Sequence, residues 1–358
     1  MSRRKIGVTF FKNIQSMLAA NLDWNKARID CMTALIQGIL HTRNVSLARI
    51  AECEKVDHDS EALESSKYRR FQRFFSTFEM PLDDLSNLIR NKIPKPLDGY
   101  VLSMDRTNWK FGKRDINILT VGINVGSVCV PLVWKVLPKK TKNGNSAFKH
   151  RKKVMQDVLT VLNASEIKAL LMDREFCGEE WLEWLDQQNI GYVLRIKKNT
   201  VIGNSVAHSY RRKPTERVGV FGMDLYFGGK VDKGKRFYVV SNRFKGKEAM
   251  ELYRRRWGIE QLFSHLKKRG FNLEDTHLTD KKKLETMMAL VSVSFLLSYG
   301  WGIHLRNYEK QSAYLRRKSH YRYGLGSLLK MTSAPRKHEK LIDEFFRWLK
   351  SDELVKEP

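Results

Sequence analysis

Between Tyr100 and Ile196, short apolar runs follow one another in an order that few folds can accommodate. YVLSMD (Tyr100 to Asp105), INILTVGINV (Ile116 to Val125) and VCVPLVWKVL (Val128 to Leu137) come first, with Gly126 and Ser127 between the last two. This spacing predicts three consecutive strands in a meander. A basic loop, KKTKNGN, then leads to a predicted helix near Phe148 to Leu162. IKALLMD (Ile167 to Asp173), a helix over Glu179 to Gln188 and the strand GYVLRIK complete the stretch. The order βββαβαβ requires a sheet with helices packed on it, placing the region in the α/β class.

The flanks read differently. The first 75 or so residues are helical in pattern, with an apolar stretch from Cys31 to Leu40, a break at His41 to Asn44 and a short helix from Ser46, an arrangement open to a helix-turn-helix. Lys67, Arg69, Arg70 and Arg73 alternate with Tyr68, Phe71, Phe74 and Phe75 on a third helix. That helix reads equally as a DNA-contacting element or as a packed amphipathic helix with a solvated basic edge. From Asn199 to Phe244, the runs VGVFGM, DLYFGG and RFYVVSN predict a small β insertion. Helical character returns at Lys247 and runs to Arg269, where Gly270 marks the stop. An apolar helix near 284 to 305 and a basic tail ending in an amphipathic helix at Lys340 to Leu349 close the chain.

The partner is indicated by charge. With 66 Lys plus Arg against 39 Asp plus Glu, the 358-residue chain carries a formal +27. Neutralising a phosphate backbone releases condensed counterions, so nucleic acid is the leading partner class. Membrane binding would call for an amphipathic anchor or a lipidation motif, and neither is apparent. The run Thr286 to Ile303 is near the lower length limit for a span and carries three Ser and two Gly, which predicts a buried core helix. Cys31, Cys53, Cys129 and Cys177 form no CxxC pair, so they read as reduced thiols of a cytoplasmic protein rather than as a zinc site or a disulfide framework.

Two of the predicted strands end in a carboxylate, Asp105 after YVLSM and Asp173 after IKALLM. Ligand-binding groups gather at the C-terminal edges of strands in α/β folds, although a lone Asp there is more often a turn former or helix cap. A third acid joins them. On a continuous helix through EAMELYRRRWGIEQLFSHLKKRG, Tyr253, Arg256, Glu260 and Lys267 fall within an arc of about 60°. Leu252, Ile259, Leu262, Phe263 and Leu266 occupy an adjacent apolar arc. The helix is open to two readings, a solvated face with an Arg256–Glu260 pair or a site in which Glu260 approaches the two Asp. Three carboxylates suit hard divalent cations, and Arg256, Lys267 and the Tyr253 hydroxyl suit phosphate. Arg195 and Lys197, after the fifth strand, offer a phosphate-contacting edge or a solvated loop end. Without metal or DNA, the acids should repel one another and raise at least one pKa.

The order Asp105, Asp173, Glu260 on a βββαβαβ scaffold followed by a helix resembles the RNase H-like, retroviral-integrase-like core of DDE transposases. Tyr253, Arg256, Glu260 and Lys267, with two, three and six residues between them, resemble the Tyr-Arg-Glu-Lys signature of bacterial insertion-sequence family 4. MDRTNW, LLMDREF and GYVLRIKKN are similar to that family's flanking segments. The resemblance covers about residues 95 to 305. It implies metal-dependent cleavage at transposon ends and strand transfer to target DNA by cut and paste. Two Mg²⁺ or Mn²⁺ ions would sit on Asp105, Asp173 and Glu260, and a homodimer would hold the terminal inverted repeats. The implied layout is a helical DNA-binding region at 1–80, a catalytic core at 95–198 and 245–306, a β insertion at 199–244 and a basic helical region at 307–358. Relatives that cut through a hairpin use a Trp in the insertion to stack on a flipped base. This insertion has none, and Trp109 and Trp257 are expected in the core. A catalytically silent DNA-binding descendant and a nuclease on the same core are the alternatives.

Overall fold

The computed structural model describes residues 3–53, 56, 63–138, 146–210, 217–232, 235–308 and 317–355. The chain divides into two compact units. Residues 95–262 form one, and residues 1–94 with 263–358 form the other.

The first unit is built on an eight-stranded mixed sheet of order β3-β2-β1-β4-β5-β10-β9-β8. Its strands are β1 (Tyr100–Phe111), β2 (Arg114–Val125), β3 (Val128–Val136), β4 (Ile167–Met172), β5 (Tyr192–Ile196), β8 (Arg217–Val220), β9 (Met223–Asp232) and β10 (Lys235–Ser241). The short pair β6 (Val201–Ile202) and β7 (Ser205–Val206) forms a separate ribbon. β1, β2 and β3 make the expected antiparallel meander. β4 and β5 add parallel to it after crossovers through α6 (Phe148–Leu159) and α7 (Glu179–Gln187). Both central strands are apolar almost throughout, as strands covered on both faces must be.

Two features differ from expectation, and a third adds to it. β1 does not stop at Asp105 but runs six residues further, paired with β2 to the hairpin. The continuous buried run of β1 ends at Met104, and beyond it buried and exposed residues alternate, whereas ladder hydrogen bonds continue regardless of side chain. The stretch 199–244 carries β strands, as expected, but the sequence did not show where they attach. β10 pairs antiparallel with β5, so β10, β9 and β8 extend the main sheet. Finally, the helix expected from Lys247 through Arg269 is two helices, α8 (Gly246–Arg254) and α9 (Trp257–Leu266). At the break, the amides of Arg255, Arg256, Gly258 and Ile259 bond carbonyls three residues back, a tightened 3₁₀ pattern.

Alternation along the strands sorts the two faces. Val101, Ala169, Leu171, Val193 and Val239 pack against Ala249, Met250, Leu252 and Tyr253 of α8. On the opposite face, Trp181 of α7 donates its indole N–H to Met172 Sδ at 3.2 Å. Gly258 lets the start of α9 lie against the β2–β3 turn, since a Cβ there would come within 2.8 Å of the Val128 carbonyl carbon.

The second unit is helical: α1 (Arg3–Asn21), α2 (Lys26–Thr42), α3 (Leu47–Glu52), α4 (Glu64–Thr77), α5 (Leu82–Asn91), α10 (Lys281–Tyr308), α11 (His320–Ser333) and α12 (Glu339–Leu349). α10 is long and apolar enough to cross a bilayer, but its apolar window is wholly buried within the chain. It is the core helix the sequence predicts, buried on all sides from Leu284 to Ile303. Its three serines are satisfied internally, Ser292, Ser294 and Ser298 each donating to the carbonyl four residues back. α11 crosses α10 backbone to backbone at Gly302 and Gly324, where a Cβ on Gly324 would collide with the Ser298 carbonyl oxygen. On α4, Phe71, Phe74 and Phe75 are buried while Arg69, Gln72 and Arg73 are exposed.

Candidate active site

The parallel register of β1 and β4 ends at Met104↔Met172. The next residues are Asp105 and Asp173, so two carboxylates follow the last paired positions of adjacent strands. Each is preceded by Met and followed by Arg, the tripeptide Met-Asp-Arg recurring at both places. Beyond this point the strands part. β1 continues beside β2, and β4 gives way to a 3₁₀ turn (Arg174–Phe176) whose N-cap is Asp173. Both carboxylates accept a hydrogen bond from the amide of the following residue, Arg106 N to Asp105 Oδ1 and Arg174 N to Asp173 Oδ1, each at 2.7 Å. By alternation they continue the face of Val101 and Ala169, the face that α8 covers.

Arg256, in the break between α8 and α9, joins this pair to the third acid. Its Nη1 donates to Asp105 Oδ2 at 3.1 Å and its Nη2 pairs with Glu260. Tyr253 directs its hydroxyl toward Asp173 Oδ1 at 3.5 Å, and Arg195 Nη1 lies 3.8 Å from the same oxygen. The structure thus brings together Asp105, Asp173, Glu260, Tyr253, Arg256 and Arg195. Lys197 is exposed just beyond β5. Lys267 falls in the helical unit, where its Nζ pairs with Glu274 Oε1 at 2.9 Å. The turn at 255–256 divides the expected single helix between Tyr253 and Glu260, whereas Glu260 and Lys267 stay on one helical segment.

Burial raises the Asp105 carboxyl from its ordinary value to about 6, against the lowering influence of Arg256 and the Arg106 amide, with Glu175 and Asp173 adding to the rise. Repulsion among acids is therefore present but secondary to desolvation. Burial likewise pushes the Tyr253 phenol up, keeping it a neutral donor. Burial opposes the charge on Arg256, but Tyr253, Asp105, Asp173 and Glu260 together outweigh it and leave the guanidinium more firmly protonated than usual. Its Nε is buried without a hydrogen-bond partner, a donor that an anionic ligand oxygen would satisfy.

The donor set is all carboxylate oxygen, the right kind for a hard divalent cation. Among the described residues, however, no three His, Cys, Asp or Glu side chains lie close enough to hold one ion. Here the positive charges among the acids are those of Arg256, between Asp105 and Glu260, and of Arg195 beside Asp173.

Arg106 and Arg151, outside the set expected from the sequence, also reach the site, where they meet the Glu175 turn. Arg106 grips Glu175 through two hydrogen bonds of 2.6 Å, and Arg151 of α6 reaches the same turn. The recurring Met-Asp-Arg was the available signal. Trp109 is buried, as expected, but Trp257 is 58% exposed. As the first residue of α9 it turns its indole outward, while Ile259 and Leu262 supply the buried contacts expected of it.

One family model matches part of the chain. Residues 137–297 match the transposase DDE domain. That match supports a DDE transposase, an enzyme class that acts on DNA and generally uses divalent metal ions. It spans Asp173 and Glu260 and begins after Asp105, and the mixed α/β architecture is compatible with the RNase H-like fold of such domains. No curated protein matches the chain.

Proposed function

We propose that this chain is a cut-and-paste transposase of the Tyr-Arg-Glu-Lys type found in bacterial insertion-sequence family 4, cytoplasmic and working as a homodimer on transposon ends. The observation that carries the reading is the register Met104↔Met172, which sets Asp105 and Asp173 side by side with Glu260 tied in through Arg256. Asp105, Asp173 and Glu260 would hold Mg²⁺ or Mn²⁺, and such ions activate an attacking water or 3′-hydroxyl and stabilise the leaving oxygen. Arg256, with its unpartnered Nε, and Arg195 and Tyr253 beside Asp173 would contact backbone phosphates and fix the strand end. Lys197 adds charge at the same edge. Lys267 would join them only by leaving Glu274. The region 1–80 would hold the terminal repeats, with the exposed Arg69, Gln72 and Arg73 of α4 among the contacts.

The test is incubation with linear DNA carrying the terminal repeats that flank the gene, in the presence of Mg²⁺, followed by separation of nicked and joined products. Cleavage and joining are expected. Binding without cleavage would instead favour a silent descendant, for which the Arg256 pairing with Asp105 and Glu260 is already a stable end state. Nicking without joined product would favour a nuclease.

A further inference from the structure

The two Asp that follow the last paired residues of β1 and β4 would drift apart if nothing tied the strands beyond Met104↔Met172, because the strands diverge there and the two charges repel. A tie exists on the reverse face of the sheet. Arg106 follows Asp105 in β1 and, by alternation, points to the face opposite Asp105. There its Nε and Nη2 donate to Glu175 Oε1 and Oε2, each at 2.6 Å, a bidentate pair spanning from β1 to the turn after β4. The turn is held from a third side. Arg151 of α6, itself 6% exposed, donates to the Glu175 carbonyl at 2.9 Å, the Cys177 carbonyl at 3.3 Å and Ser146 Oγ at 2.9 Å, and its guanidinium lies over the Phe176 ring. The amides that orient the two carboxylates belong to Arg106 and Arg174, so they lie within the braced segments.

We propose that Arg106 and Glu175 are positioning residues that fix the separation of Asp105 and Asp173 for metal binding. This proposal rests on the reading of those acids as metal holders. Glu175 has the residue type of a ligand, but both its carboxylate oxygens are engaged by Arg106. A bidentate fork sets distance as well as charge, which a lysine cannot reproduce.

Mg²⁺ demands a near-ideal octahedron, whereas Ca²⁺ accepts varied distances and ligand numbers. A loosened site should therefore lose the first more than the second. The experiment is calorimetric titration of Mg²⁺ and of Ca²⁺ into the full chain, for the unsubstituted protein, Arg106→Lys, Glu175→Gln and Asp173→Asn. Arg106→Lys and Glu175→Gln should each weaken Mg²⁺ by about tenfold, with Ca²⁺ changed by no more than about twofold. Equal loss of both ions, or no change in either, in whichever of the two variants melts normally would overturn the proposal. So would loss of both ions in Glu175→Gln with none in Arg106→Lys, since Glu175 would then be a ligand. Asp173→Asn separates the two levels. If it abolishes binding while the brace variants bind normally, the brace alone fails. If it leaves binding intact, the metal reading fails and the brace's role falls with it.

Discussion

The two units bury polar groups in opposite ways. In the helical unit, the serines of α10 bond their own helix, and His265 is stacked against Tyr321 and Phe295 with burial holding it neutral, its pKa lowered to about 4. In the sheet unit, Asp105 and Arg256 are buried as charges or near-charges, and burial works against both. In the first, the α10 serines are satisfied within their own helix and His265 is held neutral. The other leaves Asp105 and Arg256 dependent on one another and on whatever binds, as expected of a region shaped by function rather than stability.

The largest effect should separate the units by activity. Asp105→Ala, Asp173→Ala and Glu260→Ala are each expected to lower cleavage of terminal-repeat DNA by about a thousandfold or more, while their thermal midpoints stay near or above that of the unsubstituted chain. A variant that cuts at the normal rate would break the comparison at its centre. The converse substitution, Gly324→Leu, forces a side chain into the α10–α11 crossing and should destabilise by roughly 1–3 kcal/mol or more. Thermal denaturation measures it, and an unchanged midpoint would mean the crossing is not tight.

Smaller effects come from pH. The folded pKa of Asp105 lies above its unfolded value of 3.8, so without metal the folded state holds the proton more firmly, and stability is lost as pH rises from about 4 through about 6. Asp105→Asn should remove that loss and gain on the order of 1–3 kcal/mol at pH 7, read by denaturant titration. His265 has the reverse sign. Its folded pKa lies below the unfolded value of 6.5, so its contribution is full above pH 6.5 and is lost as pH falls toward 4. The two trends oppose each other in one window. The smallest expected signal is therefore a steeper acid-side loss in Asp105→Asn than in the unsubstituted chain, abolished by adding His265→Gln. A pH profile in Asp105→Asn no steeper than that of the unsubstituted chain would sink the assignment of both groups.

The meander, both crossovers and α10 were legible in the sequence because continuous apolar runs report burial on both faces. Partner choice is what escaped, as in the half of β1 after Asp105, which is covered on one face only, and in the attachment of β10 to β5, where the strand is buried but ladder hydrogen bonds carry no side-chain signature of the partner. The two Asp and Arg256 were readable from type and spacing. The break between α8 and α9 was not readable, because periodicity assumes an unbroken helix and a turn made by 3₁₀ bonds without proline leaves no mark in the sequence. Trp257 was misjudged because residue type predicts average burial, whereas the first residue of a helix can face solvent whatever its type. The Arg106–Glu175 contact is long-range and could not be inferred from either local neighbourhood.

Because β10 lies directly against β5, the chain is returned to the same sheet edge it left before α8 begins. The site is therefore indifferent to how much polypeptide is stored between those two strands. Residues could be added or removed between β7 and β8 without altering the place from which α8 and α9 deliver Arg256 and Glu260. The excursion functions as a side loop on a fixed track, a place where such a chain can acquire new contacts while its chemistry stays where it was.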